Sequence, residues 1–471
     1  MDYGQTKPAR SGPERLRAVC GRIKNLIEAE GTPALAFLDT YGCQQNEADS
    51  DILRGLIGEM GYSFTDDENK ADLIVINTCA VREHAQMRIL GNVGALTHAK
   101  KQNPRLIVAL CGCMVRQEHM IEKVKRSYRV VDIVFGMHEM SKFPELLEQF
   151  LLTGKRIFAR SPEEGEIEEN LPVLREGKIK ARIPVMYGCN NFCSYCVVPF
   201  VRGRERSRDA ALITDEARSL VENGCKDIML LGQNVNSYGL DRGAGTDFSD
   251  LIAGINEIPG EFLIRFMTSH PKDATEKLFS VMAASEKCAR HIHLPVQSGN
   301  DRVLRAMNRG YTGEEYADLA EKARRLMPDL VLTTDVIVGF PGETDREFED
   351  TLELVKKVEF DAMFTFIFSK REGTPAACMD DPVTRSEKQA RFDRLLEVQN
   401  VISEKKHAAC IGKTVKVLID GETKNSEYNL SSRTNGGRLV HLRGNLAPGG
   451  FVNAEITGAA TWALFGEVSR R

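Results

Sequence analysis

The chain has 471 residues, 42% of them hydrophobic and 28% charged, which is typical of a globular protein with about three domains. Its formal net charge of −4 argues against a protein that binds nucleic acid over its whole surface. The sequence contains neither an apolar run long enough for a membrane helix nor an N-terminal secretory signal. We therefore predict a cytoplasmic protein without membrane contact. Its twelve cysteines indicate metal or redox chemistry rather than a disulfide framework.

Residues 1–33 are predicted to form a polar N-terminal extension with one helical stretch. Residues 34–155 alternate short apolar runs with amphipathic segments, which is typical of βαβ units and an open parallel sheet. The predicted strands are 34–39, 72–77, 105–110 and 131–136, and the predicted helices are 47–60, 83–101, 115–127 and 139–152. Residues 156–174, rich in Glu, are predicted to be an exposed acidic linker.

Residues 175–406 repeat the strand–helix alternation on a larger pattern. The predicted strands are 182–188, 227–232, 263–269, 291–297, 332–340 and 363–369, and a charged helix covers 383–406. Six strands favour a partial (β/α)6 barrel over a closed eight-stranded one. Residues 407–471 show short alternating runs divided by Gly, Asn and Pro, which predicts a small all-β barrel. The predicted fold class is therefore α/β, with an all-β domain at the C-terminus.

Cysteines follow three successive strands of the first predicted sheet. Cys43 follows the first strand, Cys79 the second, and Cys111 and Cys113 the third. Because ligands bind at the carboxyl ends of strands in open parallel sheets, these cysteines are expected to converge on a metal site. Either Cys111 or Cys113 could supply the third ligand on these grounds, and each cysteine could instead be a small buried hydrophobe.

A second cysteine cluster, Cys189, Cys193 and Cys196, follows the first strand of the predicted barrel in the stretch "GCNNFCSYC". A zinc knuckle would show a second cysteine or histidine pair, and a bacterial ferredoxin run would have a different spacing with a fourth cysteine. Three thiolates without a fourth leave one position of a cubane iron–sulfur cluster open.

The C-x3-C-x2-C spacing together with six βα repeats resembles the radical S-adenosylmethionine (SAM) superfamily. The stretches "TYGCQQNEADS", "VINTCAVREHA", "VVPFVRGRERSR", "HLPVQSGNDRVLRAMNRGYT" and "DVIVGFPGET" resemble the methylthiotransferase family, and only residues 1–33 lie outside the resemblance. That family has an N-terminal cluster domain, a radical SAM core and an RNA-binding TRAM barrel. The "CGCMV" stretch matches the family at Cys113, which the resemblance implies as the third ligand.

The resemblance implies two 4Fe-4S clusters, one held by Cys189, Cys193 and Cys196 and one held by Cys43, Cys79 and Cys113. The first would bind and reductively cleave SAM, and the second would donate sulfur. Within the family, "YGCQQNEADS" and "VVPFVRGRERSR" look most like the branch that adds a methylthio group at carbon 2 of N6-isopentenyladenosine, position 37 of tRNA. The alternatives are the branch that acts on threonylcarbamoyladenosine in tRNA and the branch that modifies an aspartate of a ribosomal protein.

By the same resemblance, SAM contacts are expected from Tyr195, Gln233 and Gly339, although Tyr195 could be a core aromatic and Gly339 a turn glycine. RNA contacts are expected from Arg204, Arg206 and Arg433, because Arg suits phosphate. The partners implied are the tRNA anticodon stem-loop, a reducing protein such as a flavodoxin or ferredoxin, and an iron–sulfur carrier.

Two other classes of protein would use the same features differently. An electron-transfer or metal-storage protein would hold two clusters without cleaving SAM. An RNA-binding regulator would use the terminal barrel alone and would function without Cys189.

Overall fold

A computed structural model of the chain describes residues 12–29, 31, 33–80, 83–160, 167–243, 245–423 and 427–469. Its contacts divide the chain into two compact units. The first unit extends to Glu176 and also includes Phe200–Arg204, and the second contains Gly177–Pro199 and Glu205–Arg471. In the described part of the chain, no helix combines the length and the apolar character needed to cross a membrane.

The first unit is built on a six-stranded parallel sheet in the order β2-β1-β3-β4-β5-β6. Its strands are β1 (Leu35–Thr40), β2 (Ser63–Phe64), β3 (Leu73–Thr78), β4 (Ile107–Gly112), β5 (Ile133–Phe135) and β6 (Ile157–Ala159). Its helices are α1 (Gly12–Glu28), α2 (Gln44–Glu59), α3 (Glu83–Gln102), α4 (Glu118–Ser127) and α5 (Phe143–Thr153). Every residue of β3 and β4 is buried, as expected for central strands covered on both faces.

The four predicted strands of this sheet are confirmed, and β2 and β6 are additional. Strands of two or three residues are too short to show a periodic pattern, so the sequence gives no signal for them. The predicted linker, residues 156–174, contains the strand β6. At its end, the Leu174 N–H donates to the Asp51 carbonyl. The N-terminal helix α1 is confirmed, and its buried face, including Cys20 and Ile23, belongs to the core of this unit.

The second unit contains the six predicted barrel strands in two parallel three-stranded sheets, ordered β11-β10-β7 and β12-β13-β14. A parallel bridge joins Ile264 of β11 to Cys288, three residues before β12, and so brings the two sheets together as a partial barrel. The strands are β7 (Lys180–Pro184), β10 (Asp227–Leu231), β11 (Leu263–Phe266), β12 (His291–His293), β13 (Val331–Val338) and β14 (Ala362–Ile367). A short antiparallel pair, β8 (Met186–Tyr187) and β9 (Arg206–Ser207), was not predicted.

Helices surround this partial barrel and cover its apolar core. They are α7 (Ala210–Glu222), α8 (Phe248–Asn256), α9 (Glu276–Ala284), α11 (Gly313–Leu326), α12 (Asp345–Val358) and α13 (Arg385–Ala408). The short helices α6 (Val198–Arg202) and α10 (Asp301–Ala306) lie outside that core, and the last three residues of α6 belong to the first unit. Four of these helices begin with a capping box: the N-cap residue is Asp247 in α8, Thr312 in α11, Thr344 in α12 and Thr384 in α13.

The C-terminal residues form a closed five-stranded barrel in the order β15-β16-β17-β19-β18, which confirms the predicted all-β domain. Its strands are β15 (Thr414–Glu422), β16 (Leu430–Thr434), β17 (Leu439–Arg443), β18 (Phe451–Ala459) and β19 (Leu464–Val468). The turn between β16 and β17 packs against the partial barrel. There the Arg265 guanidinium, paired with Asp227, donates to the carbonyls of Thr434 at 3.0 Å and Asn435 at 2.8 Å.

Two candidate iron–sulfur cluster sites

The first cysteine triad lies at one edge of the first sheet. Cys43 follows β1, Cys79 follows β3 and Cys113 follows β4, and these three strands are adjacent and parallel. The cysteines therefore gather at the carboxyl edge, as the sequence predicted. The approach is close: a Cβ placed on Gly42, which has a φ of +124°, would lie 2.8 Å from the Cys79 Cβ. A glycine before Cys43 is thus needed to let the two ligand loops meet.

Asn46, in the first turn of α2, lies at the centre of this site. Its amide nitrogen donates to the carbonyls of Tyr41 and Thr78, each at 2.9 Å, and so fixes both ligand loops. Its amide oxygen faces the thiols of Cys43 at 3.6 Å and Cys113 at 4.0 Å. Asn46 stands three residues after Cys43 in "GCQQN", and sequence reasoning did not assign it a role.

Arg202 is the second residue that sequence reasoning missed at this site. It lies in the arginine-rich stretch "VVPFVRGRERSR", but only 5% of its surface is exposed. Its guanidinium donates to the Cys113 sulfur at 3.2 Å, to the Asn46 amide oxygen at 2.8 Å and to the Asp49 carboxylate at 2.7 Å. Burial opposes the charge, but the Asp49 carboxylate outweighs it and raises the pKa of Arg202 above its usual range.

Cys111 and Cys113 have different surroundings. Cys111 lies within β4 and packs in the apolar core with Ala109 and Phe135. Cys113 lies beyond the end of the strand, beside Asn46 and Arg202. This placement favours Cys113 as the ligand and Cys111 as a core residue.

The second triad occupies the loop between β8 and α6, in the second unit. The β8–β9 pair closes the base of this loop, with Tyr187 opposite Arg206. Within the loop, the Cys196 N–H donates to the Cys193 carbonyl at 2.9 Å. Arg309, which is 4% exposed, donates to the Cys193 sulfur at 3.3 Å.

Three of the six thiols are hard to ionise in the absence of metal, because they are buried. Burial raises the pKa of Cys113 and of Cys196 to about 12 and that of Cys189 to about 11. Because iron binds thiolate, metal binding must displace these protons.

A ring of polar atoms without partners lies at the carboxyl ends of three barrel strands. Gln233 follows β10, Ser269 and His270 follow β11, and Gln297 follows β12. Each carries a buried side-chain atom that has no hydrogen-bond partner among the described residues: Gln233 Oε1, Ser269 Oγ, His270 Nε2 and Gln297 Oε1. Buried polar atoms left unpaired are costly, so their clustering at one rim points to a ligand that pairs with them.

Backbone strain concentrates around the same rim. Among the described residues, six that are not glycine have positive φ. Four of them belong here: Phe192 (46°) and Asn308 (59°) at the cysteine loop, Thr268 (68°) after β11 and Gln297 (72°) after β12. Such strain persists where the surroundings fix the backbone, and it is common at functional sites.

Three family models match successive parts of the chain. Residues 36–136 match a family described as "Uncharacterized protein family UPF0004", residues 183–355 match the "Radical SAM superfamily", and residues 408–469 match the "TRAM domain".

Curated relatives match almost the full length. Proteins named tRNA-2-methylthio-N(6)-dimethylallyladenosine synthase from Acetivibrio thermocellus, Clostridium tetani and Alkaliphilus oremlandii are 47%, 48% and 46% identical to the chain. The alignments cover 93%, 92% and 97% of the chain and 92%, 95% and 97% of the relatives. The chain belongs to this family of radical SAM methylthiotransferases.

Solved structures agree on the fold. The radical SAM methyltransferase TsrM from Kitasatospora setae superposes with a TM-score of 0.54 at 15% identity, covering 73% of this chain and 75% of that one. A second TsrM structure, with cobalamin and a [4Fe-4S] cluster bound, gives a TM-score of 0.53 at 16% identity and covers 74% and 77%.

As a radical SAM enzyme, the methylthiotransferase uses SAM and a 4Fe-4S cluster. The residues present suit such a cluster, because the Cys189–Cys196 loop supplies three soft thiolates and the neighbouring rim supplies unpaired polar atoms. Within the described ranges, no three His, Cys, Asp or Glu side chains are placed to hold a single metal ion. The thiolates of a cubane cluster bind different irons, so they stand farther apart than the ligands of one ion.

The residues predicted to contact SAM have distinct positions in the methylthiotransferase. Gln233 belongs to the polar rim. Tyr195 is half-buried and packs in an apolar cluster with Met307 and Phe340. Gly339 follows β13 directly with a φ of +67°, and its N–H donates to Glu343 at 2.7 Å, so it has at least the role of a turn glycine.

The residues predicted to contact RNA are not equally accessible. Arg204 is exposed and Arg206 is half-buried. Arg433 pairs with Asp420 at 3.1 Å, and Lys180 pairs with the same carboxylate at 2.7 Å. A phosphate would therefore have to compete with Asp420 for Arg433.

Proposed function

We propose that this methylthiotransferase holds two three-liganded 4Fe-4S clusters, one on Cys189, Cys193 and Cys196 and one on Cys43, Cys79 and Cys113. The reaction is the conversion of N6-dimethylallyladenosine in tRNA to its 2-methylthio derivative. The observation that supports this reaction is the near-complete match, at 46–48% identity, to relatives whose name contains the product. When bound, the clusters and SAM supply the radical, the sulfur and the methyl group that an unactivated C–H bond requires.

The polar rim is proposed as the SAM-binding part of the site. Gln233, Ser269, His270 and Gln297 offer both acceptors and donors to the amino acid and ribose groups of SAM, which would satisfy their unpaired atoms. His270 is suited to a neutral contact, because burial and the nearby charges of Arg309 and Lys272 lower its pKa to about 2. Tyr195 and Gly339 remain proposed SAM contacts.

The partner is tRNA, and we place the modified adenosine at position 37 of its anticodon loop. Arg204, Arg206 and Arg433 remain proposed phosphate contacts, and Arg204 is the best placed of them because it is exposed. The electron donor, an iron–sulfur carrier and a cytoplasmic location are proposals that follow from this reaction.

The decisive experiment is nucleoside analysis of tRNA from a strain that lacks this gene. The 2-methylthio derivative of dimethylallyladenosine should disappear, and the unmethylthiolated nucleoside should accumulate. Loss from threonylcarbamoyladenosine alone would instead establish the first alternative, and unchanged tRNA with a lost mark on a ribosomal protein would establish the second.

Complementation of that strain tests the ligand assignment with a matched pair of variants. Cys111→Ala should restore the modification, because Cys111 packs in the core, whereas Cys113→Ala should not. The purified wild type should carry about eight iron atoms, and alanine at all three positions of either triad should leave about four. Iron that stays near eight in Cys43→Ala/Cys79→Ala/Cys113→Ala would contradict the second cluster.

A further inference from the structure

Arg202 forms a buried ion pair with Asp49 directly beside the first cysteine triad. Arg202 and Asp49 side chains are 5% and 1% exposed, and the pair is 2.7 Å apart. Burying such a pair costs much of the solvation of both ions, so it contributes little stability by itself. What distinguishes this pair is the third partner, the Cys113 sulfur at 3.2 Å from the Arg202 Nε.

The chain brings Arg202 to this site by a short excursion. Arg202 follows Cys196 by six positions in the sequence, and Phe200–Arg204 belongs to the first unit although the residues on both sides of it belong to the second. Its helix, α6, is only five residues long, so helix packing does not account for the placement. The three hydrogen bonds of the guanidinium, to Cys113, Asn46 and Asp49, do account for it.

Hydrogen bonds and charges next to cysteine sulfur determine how readily an iron–sulfur cluster is reduced. Reduction adds negative charge, so a donor to sulfur and a nearby cation stabilise the reduced cluster and raise its potential. A nearby carboxylate has the opposite effect. Arg202 supplies the donor and the cation, and Asp49 supplies the carboxylate, in surroundings that screen charge poorly.

We propose that Arg202 is a positioning residue for the cluster of the first triad, where it orients the Cys113 sulfur and, balanced by Asp49, sets the reduction potential. This inference rests on the proposed function, since it requires that the triad hold a cluster. It gives Arg202 a role within the first unit, different from that of the arginines proposed to contact RNA. Asn46 completes the arrangement, because its amide oxygen fixes the guanidinium beside two ligands.

The test uses the full chain with Cys189, Cys193 and Cys196 changed to Ala, so that only the first cluster can form. The midpoint of cluster reduction is measured by redox titration with electron paramagnetic resonance, for the background and for added Arg202→Gln, Asp49→Asn and both together. We expect a shift to lower potential for Arg202→Gln, a shift to higher potential for Asp49→Asn, and a value near the starting one for the double variant.

Thermal unfolding separates this role from a structural one. Each single substitution leaves a buried charge without its partner, so both should lower the melting temperature. A purely structural pair predicts two destabilised proteins with unchanged midpoints, and that result would overturn the proposal. If Arg202→Gln fails to retain iron, Asp49→Asn decides alone: a higher midpoint supports the proposal and an unchanged one overturns it.

The control is Asp132→Asn, which breaks the Lys100–Asp132 pair of the same unit. Asp132 precedes β5, at the amino end of the sheet, while the triad lies at the carboxyl end. This variant should lose stability without a change in midpoint. About four iron atoms in the background protein confirm the cluster itself, so failure of the proposed function (no iron) is distinct from failure of this inference (iron present, midpoints unmoved).

Arg309 provides an independent comparison in the second unit. It donates to the Cys193 sulfur at 3.3 Å, but its other partners are the Tyr311 hydroxyl and the Pro295 carbonyl. No carboxylate pairs with it among the described residues. Its charge is therefore not balanced as that of Arg202 is, and we expect Arg309→Gln to lower the midpoint of the SAM-binding cluster in a Cys43→Ala/Cys79→Ala/Cys113→Ala background. An unmoved midpoint would show that Arg309 only supports the loop.

Discussion

Both cysteine triads have buried polar side chains next to them, at positions where apolar side chains would be less costly to bury. Asn46 and Arg202 surround the first triad, and Arg309 touches the second. Buried polar groups of this kind cost stability unless every donor and acceptor is matched. At the barrel rim the matching is incomplete, which is where SAM is proposed to bind.

His270 shows how such a residue makes stability depend on pH. Its pKa of about 2 in the folded protein lies far below the ordinary value of 6.5, because the ring is buried. Below pH 6.5 the unfolded chain binds a proton that the folded chain does not, so stability is present above pH 6.5 and falls as the pH is lowered. Between pH 7 and pH 5 this residue should reduce the unfolding free energy by about 2 kcal/mol.

The measurement is thermal unfolding at pH 7 and pH 5 for the wild type and for His270→Asn. In the wild type the Lys272 N–H donates to the His270 Nδ1, and the Asn side chain keeps an acceptor for it. The variant should show a smaller loss between the two pH values. His98→Asn, at an exposed site, serves as the control and should follow the wild type. Equal pH dependence in all three proteins would contradict a buried neutral His270.

Turns at the ends of strands determine which groups reach the rim of the partial barrel. The turn from β13 to α12 contains two glycines with positive φ, Gly339 at +67° and Gly342 at +71°. A Cβ on Gly339 would lie 2.3 Å from the Cγ of Lys388 on α13, whereas a Cβ on Gly342 would meet nothing within 4 Å. An alanine at Gly342 would therefore introduce backbone strain alone, whereas an alanine at Gly339 would introduce backbone strain and a steric clash.

We expect Gly342→Ala to cost about 1 kcal/mol of unfolding free energy, from the positive φ alone. Gly339→Ala should cost more, about 2–3 kcal/mol, because the buried Lys388, paired with Asp381 at 2.7 Å, must also move. Chemical denaturation of the two variants checks the order. Equal losses would mean that α13 shifts to make room without penalty. SAM binding that falls only in Gly339→Ala would support its proposed contact with the cofactor.

The complete chain combines a mildly acidic charge with a polyanionic substrate, so binding has to come from local surfaces. The TRAM barrel has a candidate for such a surface that the arginine pattern did not reveal. Tyr428, His441 and Phe465 form a ring cluster, with centroids of Tyr428 and Phe465 5.1 Å apart and those of His441 and Phe465 5.7 Å apart. The Arg443 guanidinium lies 5.0 Å from the Tyr428 ring centroid. Aromatic rings beside an arginine suit the stacking of unpaired RNA bases.

Phe465→Ala should weaken tRNA binding by about 1–3 kcal/mol, since one stacked base typically contributes that much. Tyr428→Phe keeps the ring and should bind nearly as the wild type does. Filter binding or fluorescence anisotropy with the substrate tRNA at fixed salt gives both affinities. Unchanged affinity for Phe465→Ala, in a protein whose unfolding is normal, would show that this face does not contact RNA.

Patterns along the chain were sufficient for the architecture and for the convergence of the first cysteine triad at one edge of the sheet. Strand–helix alternation gave the parallel sheet and the six barrel strands, because buried parallel strands are near-continuous apolar runs. The placement of Cys43, Cys79 and Cys113 after successive strands predicted their convergence, because parallel strands end at one edge. The short strands β2 and β6 were not predicted, because two or three residues are too few to show a periodic hydrophobic pattern.

Those patterns did not predict which polar side chains contact one another. Arg202 stands in a run of arginines that reads as a solvated face, yet it is buried on Asp49 and Cys113, residues 153 and 89 positions away. Gln233, His270 and Gln297 gather at one rim from separate strand ends with no shared motif. A local pattern records which residues a segment exposes or buries, whereas long-range packing determines which polar groups meet, and therefore which residues surround the two cysteine triads.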